Sequence, residues 1–156
     1  MAEAPPRSRQ NPSPKHRADV AIICDTGPLL AALDAADPDH ERCARLLTDA
    51  DEDLVVPTLV LAELDYWCGR RLPPAAWLIF LDDLLAGVYR VESPTGLDFA
   101  RCRELQAQYA DLSLGVVDAS VVALAERLGE PKIATLDQGH FRAVRPAHVG
   151  ALELWP

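Results

Sequence analysis

Apolar and polar positions change rhythm repeatedly along this chain, and each change marks an element. Residues 20–24, VAIIC, form a continuous apolar run of strand length, the pattern of a strand buried on both faces. Asp25 and Thr26 break the run, and GPLLAALD at 27–34 takes up helical spacing, with Pro28 suited to a first turn. Residues 40–50 predict an amphipathic helix with Cys43, Leu46 and Leu47 on one face. LVV at 54–56 is a second buried strand, after which Pro57 and Thr58 open a helix through TLVLAELDYWCGRR. Another helix spans PPAAWLIFLDDLLAG, with Pro73 and Pro74 at its start and Gly87 at its stop. VYRV at 88–91 predicts a strand, and TGLDFARCRELQAQYA a helix whose apolar face carries Leu97, Ala100, Leu105 and Tyr109. GVVDASVVALAERLG reads as a helix packed all round and ended by Gly129. KIATL at 132–136 and LELW at 152–155 predict the last two strands. Strands separated by helices define an α/β fold, with parallel pairing and helices on both faces of the sheet. In such sheets, sites form outside the carboxyl ends of the strands.

Composition adds limits to this outline. Residues 1–18 are rich in Pro, Ser and Arg and lack apolar periodicity, so a disordered basic tail is expected ahead of one domain at 19–156. No stretch approaches the roughly 18 apolar residues of a membrane span, and the N-terminus has no apolar signal core, which points to a cytoplasmic protein without membrane association. The four cysteines form no Cys-x-x-Cys pair, so reduced thiols are expected, with Cys24 a small core residue. Net charge is −9, divided into +3 over residues 1–17 and −12 over the remainder. An acidic body argues against adhesion to nucleic acid through a broad basic face. It remains compatible with a nucleic-acid enzyme whose carboxylates hold cations, because the metal then supplies the positive charge that a phosphate meets.

Four acids stand where this scaffold makes them conspicuous. Asp25 closes the first strand and Asp137 closes KIATL, which places both at the same sheet edge if the strands are parallel. Glu63 lies on the apolar side of its helix with Leu59 and Val60, and Asp118 opens an otherwise apolar helix. A carboxylate on an apolar face is destabilising by several kcal/mol unless it is paired, protonated or bound to a cation. Structural roles are available to each: a helix cap for Asp25 or Asp118, the start of the turn DQGH for Asp137, an ion pair with Arg70 for Glu63. Convergence of all four on one edge has a simpler common cause, an acidic pocket. Clustered carboxylates repel, and a divalent cation removes the conflict; all-oxygen ligands select Mg²⁺ or Mn²⁺ over zinc. Metal-assisted phosphodiester hydrolysis is the chemistry that suits such a site.

In this order, IICDTGPLLAALD, PTLVLAEL, LSLGVVDASVVALAERLG and IATLDQGHF resemble the four acidic motifs of the PIN-domain family, and in spacing and length the chain is most similar to the VapC toxins of bacterial toxin–antitoxin pairs. The resemblance implies a three-layer α/β/α fold with a mainly parallel central sheet. It also implies a magnesium-dependent endoribonuclease with Asp25, Glu63, Asp118 and Asp137 as its acidic site. Asp25 and Asp118 would be the principal metal ligands, Glu63 and Asp137 would complete the pocket and position the nucleophilic water, and Thr26 and Thr135 would orient the acids. A cognate antitoxin and a homodimer are the implied partners, with an antitoxin helix expected in the groove of the helices between 40 and 71 and a basic side chain aimed at Asp25 and Asp118. The departure from the family pattern is the basic stretch ahead of the first strand.

Other residues are less telling. Asp111 reads as a loop or capping residue, and His140 as an incidental turn histidine. Among Arg70, Arg71, Lys132, Arg142 and Arg145, the pair Arg142 and Arg145 after Asp137 are the better candidates to guide RNA. Trp67, Trp77 and Phe80 read as core or subunit interface. Two further readings of the acids stand beside the nuclease: a catalytically silent PIN-like binding module, and a phosphotransferase with Asp25 as nucleophile. The latter is weakened by Gly27, where an acid two residues on would be usual.

Overall fold

The computed structural model describes residues 20–156, so the tail expected at 1–18 lies outside the described residues. Strand β1 (Ala21–Cys24) is buried at every position and occupies the centre of a five-stranded sheet in the order β3-β2-β1-β4-β5. Its neighbours are β2 (Asp53–Pro57) and β4 (Lys132–Ala134); β3 (Tyr89–Glu92) and β5 (Glu153–Trp155) form the edges. Every pairing is parallel. The unbroken apolar runs AIIC and LVV are explained by this placement, since a strand covered on both faces has no polar side.

Helices α1 (Thr26–Leu33), α2 (His40–Asp49), α3 (Thr58–Arg71) and α4 (Pro74–Leu85) join the first three strands, and α5 (Gly96–Gln108) and α6 (Val116–Leu128) lead to β4. Helix α6 lies against β1, β2 and β4 and is covered by α5. That explains its apolar sequence, with Ala119 to Ala125 buried without interruption. Gly129 ends it at φ 71°, a left-handed conformation that glycine adopts without strain. The four cysteines are free and buried, and burial pushes the Cys24 thiol up to about 12. Among the described residues no helix is long and apolar enough to cross a membrane.

Three expectations are corrected. Helix α5 turns a different face inward: Leu97 is 82% exposed and Ala100 is exposed, whereas Asp98 is buried with Cys102 and Leu105. Asp98 closes a capping box with Thr95 and accepts hydrogen bonds from Arg127 Nε, so its carboxylate is satisfied inside. Strand β4 is shorter than KIATL and stops at Ala134. Asp137 therefore does not close a strand; it caps α7 (Gln138–Ala143), a short helix where a simple turn was expected.

Candidate active site

The sheet register builds the site. Cys24 pairs with Ala134, and Asp25 N donates to Ala134 O at 2.9 Å, so Asp25 and Thr135 leave the sheet side by side at its carboxyl edge. Thr135 is fully buried; its Oγ1 donates to Asp25 Oδ2 at 2.8 Å and accepts from Asp137 N at 3.0 Å. Asp25 Oδ1 accepts from Thr26 N at 2.8 Å, so this carboxylate also caps α1. Helix α3 begins directly after β2 and carries Glu63 to the same edge, and Asp118 projects from the first turn of α6. Asp25, Glu63, Asp118 and Asp137 line one cleft of about 630 Å³, together with Thr26, Trp67 and Arg71.

Asp25 and Asp137 are caps and cleft residues at once, Asp137 Oδ1 accepting from His140 N at 3.3 Å. Asp118 is not the cap of α6; that position is Gly115, with no side chain closing the helix end. Arg70 does not pair with Glu63 but lies over the Tyr66 ring at 5.3 Å.

Electrostatics shows acids in mutual conflict. Asp25 is 6% exposed, and burial pushes its carboxyl up to about 6 against the hydrogen bonds from Thr135 and Thr26, with the charges of Asp118 and Glu63 adding to the rise. Burial raises Glu63 as well, and the Asp118 charge adds to it. Asp118 is raised by burial, with His140 opposing and Asp137 reinforcing the shift. His140 Nδ1 stands 2.9 Å from Asp137 Oδ2 and 3.6 Å from Asp118 Oδ2, so this histidine touches the acids rather than an open turn.

Among the described residues no three His, Cys, Asp or Glu side chains converge closely enough to enclose a metal ion. Magnesium does not require such a cage, because it is commonly held by one or two carboxylates and keeps its remaining waters. An all-oxygen donor set, acids held above their usual range by burial and further by one another's charge, and the buried Thr26 Oγ1, which has no hydrogen-bond partner, fit a hydrated divalent cation.

The remaining sequence candidates separate. Asp111 lies in a short 3-10 turn (Ala110–Leu112) and does not line the cleft. Lys132 pairs with Glu52, Arg142 donates to Gln138 Oε1 at 2.6 Å, and Arg145 Nη1 donates to Arg142 O at 2.9 Å. None of these lines the cleft; Arg71 does. Phe80 is buried with Trp77 stacked on it at 5.4 Å, as expected for core, whereas Trp67 is half-buried and forms part of the cleft wall. The sequence signal for Arg71 is its spacing of eight from Glu63, which places both on one helical stripe.

A five-stranded parallel sheet flanked by helices is the α/β fold of the PIN domain, and the chain belongs to that family: the family model for the PIN domain matches residues 22–145. Among curated proteins it is similar to Ribonuclease VapC26 of Mycobacterium tuberculosis, with 35% identity over 135 residues, 86% of this chain and 100% of the relative. Among solved structures it resembles the Mycobacterium tuberculosis VapC20 toxin, described as cleaving the sarcin-ricin loop, with a TM-score of 0.73 and 25% identity over 83% of this chain and 98% of that one. The fold also matches that in the VapBC2 structure from Rickettsia felis bound to a promoter DNA fragment, with a TM-score of 0.65 and 16% identity over 88% of this chain and 100% of the other.

Proposed function

We propose that this protein is a VapC-like endoribonuclease that uses Mg²⁺, or Mn²⁺ in its place, to hydrolyse RNA phosphodiester bonds in the cytoplasm. The observation that carries the reading is the gathering of Asp25, Glu63, Asp118 and Asp137 in one cleft at the carboxyl edge of the sheet. Similarity to Ribonuclease VapC26 over nearly the whole chain supports the same activity. Asp25 and Asp118 would hold the cation, which when bound supplies a Lewis acid for the phosphate and lowers the pKa of water. Glu63 and Asp137 flank them and would orient the attacking water by accepting its hydrogens. Thr135 fixes the Asp25 carboxylate from one side and the Thr26 amide from the other, so its direction is set before substrate arrives. His140 Nδ1 lies 2.9 Å from Asp137 Oδ2 and 3.6 Å from Asp118 Oδ2, and when protonated it would bridge the two acids.

An antitoxin and a second copy of this chain are the proposed partners. Large exposed apolar residues of the α2–α4 region lie on α3 and α4 (Tyr66, Leu78, Ile79) rather than on α2, which favours α3 and α4 as the apolar side of the antitoxin groove. A basic antitoxin side chain directed at Asp25 and Asp118 would compete with the metal, so inhibition is expected to weaken as Mg²⁺ rises.

The test is RNA cleavage by purified protein with and without Mg²⁺ or Mn²⁺. Asp25→Asn and Asp118→Asn keep shape and remove charge. Each is expected to lower cleavage by more than the ~10–100-fold that outer partners of a metal site are worth, with the fold intact. Full activity in either variant, with metal supplied, removes that residue from the site.

A further inference from the structure

Arg71 is the single basic side chain lining the acidic cleft among the described residues, and its position is unusual for a cation so placed. Coulombic attraction draws a flexible guanidinium toward nearby carboxylates. Arg71 instead holds its guanidinium carbon 4.7 Å over the ring of Trp67. Trp67 is itself fixed, half-buried against the core with the Tyr66 ring edge-on at 5.2 Å. Glu63, Trp67 and Arg71 follow one another at intervals of four along α3, so acid, aromatic platform and cation form one stripe leading along the cleft wall.

Stacking uses the flat face of a guanidinium and leaves its N–H edge open. That edge is a planar fork matching two oxygens of a phosphate, and a preformed stack lessens the freedom lost on binding. The neighbouring Arg70 stacks on Tyr66 in the same way but does not line the cleft. An RNA strand approaching four carboxylates on a body of net charge −12 needs one fixed point of attraction to set its register. We infer that Arg71, presented by Trp67, is the subsite that holds a backbone phosphate of single-stranded RNA next to the phosphate that is cut. The inference rests on the ribonuclease reading and adds to it a residue that the four acidic motifs do not contain.

Two measurements test it. Binding of a labelled single-stranded RNA oligonucleotide is followed by anisotropy over a salt series in an Asp118→Asn background, and steady-state cleavage is measured in the otherwise unaltered protein. Arg71→Ala is expected to weaken binding about tenfold or more and to flatten the plot of log affinity against log salt by ~0.7, the share of one single-strand phosphate. In cleavage it raises KM with kcat nearly unchanged, the signature of lost uniform binding. Arg71→Lys restores the salt slope without the full affinity, and Trp67→Leu weakens binding while leaving the charge in place. Unchanged slope and affinity in Arg71→Ala overturn the subsite. So does a variant that binds RNA normally but loses its antitoxin, which assigns the cation to a protein partner. If the wild-type chain cleaves no RNA with either metal, the nuclease reading fails, and the anisotropy comparison still decides whether Arg71 holds a phosphate.

Discussion

The hydroxyl of Thr135 is shared between two of the cleft acids, donating to Asp25 Oδ2 and accepting from Asp137 N. Thr135→Val keeps the shape of the side chain and removes both bonds. Cleavage is expected to fall by ~10–100-fold, the scale of an outer partner in a metal site, and Thr135→Ser to recover most of it. A loss that Ser does not rescue points to packing rather than to the hydroxyl. Asp25 itself couples the site to pH. Its carboxyl is raised from 3.8 to about 6, so between those values the folded, metal-free protein keeps a proton that the unfolded chain has released. The stability this group contributes is fully present below 3.8 and is lost as pH rises through about 6, a difference of about 3 kcal/mol. In chelator, the wild-type melting temperature is expected to drop from pH 5 to pH 7 by more than that of Asp25→Asn. Parallel pH dependence in the two proteins refutes the raised carboxyl.

Helix α5 shows what an element hides when it is read as a pattern. Leu97 and Ala100 form a plausible apolar stripe with Leu105 and Tyr109, yet the structure buries Asp98 and leaves Leu97 in solvent. Asp98 is drawn inward by one partner remote in sequence, Arg127 Nε of α6 at 3.0 Å, and by one local to the helix cap, the Thr95 amide at 2.7 Å. Asp98→Ala is expected to be destabilising by about 2 kcal/mol in urea unfolding, combining a lost cap with the loss of one of the partners of Arg127, which keeps Glu92 and Ser93 O. Leu97→Gln is expected within about 0.5 kcal/mol of the parent. The reverse ranking restores the simple amphipathic reading. Local pattern was sufficient wherever one element's burial is decided by its own sequence, as in AIIC, LVV and the apolar α6. It failed where a charge is neutralised from elsewhere, and at β4, where the chain leaves the sheet after Ala134 to start α7. The four acids were legible because each interrupts an apolar segment. Arg71 was legible only as one of five basic candidates, behind Arg142 and Arg145, because its place over Trp67 depends on side-chain packing that spacing alone does not specify.

For the molecule as a whole, the cleft is a region of net repulsion inside an acidic protein. A cation that binds the folded state alone stabilises it by about 2.7 kcal/mol at a hundred times its dissociation constant. Adding Mn²⁺ is therefore expected to raise the melting temperature by several degrees, and Asp25→Asn to abolish most of that gain. Equal shifts in both proteins place the ion elsewhere. The cleft also has an order of assembly written into its topology. Asp25 directly follows β1 and its hydroxyl partner Thr135 comes 110 residues later. The central strand β1 waits for β4 to occupy its second side. During synthesis, a nascent chain halted before Lys132 already contains Asp25, Glu63 and Asp118 but has neither the strand that aligns the first of them nor the fourth acid. The unfinished polypeptide thus has three of the four acids without the strand that sets them, and the pocket closes only once β4 and α7 have been made.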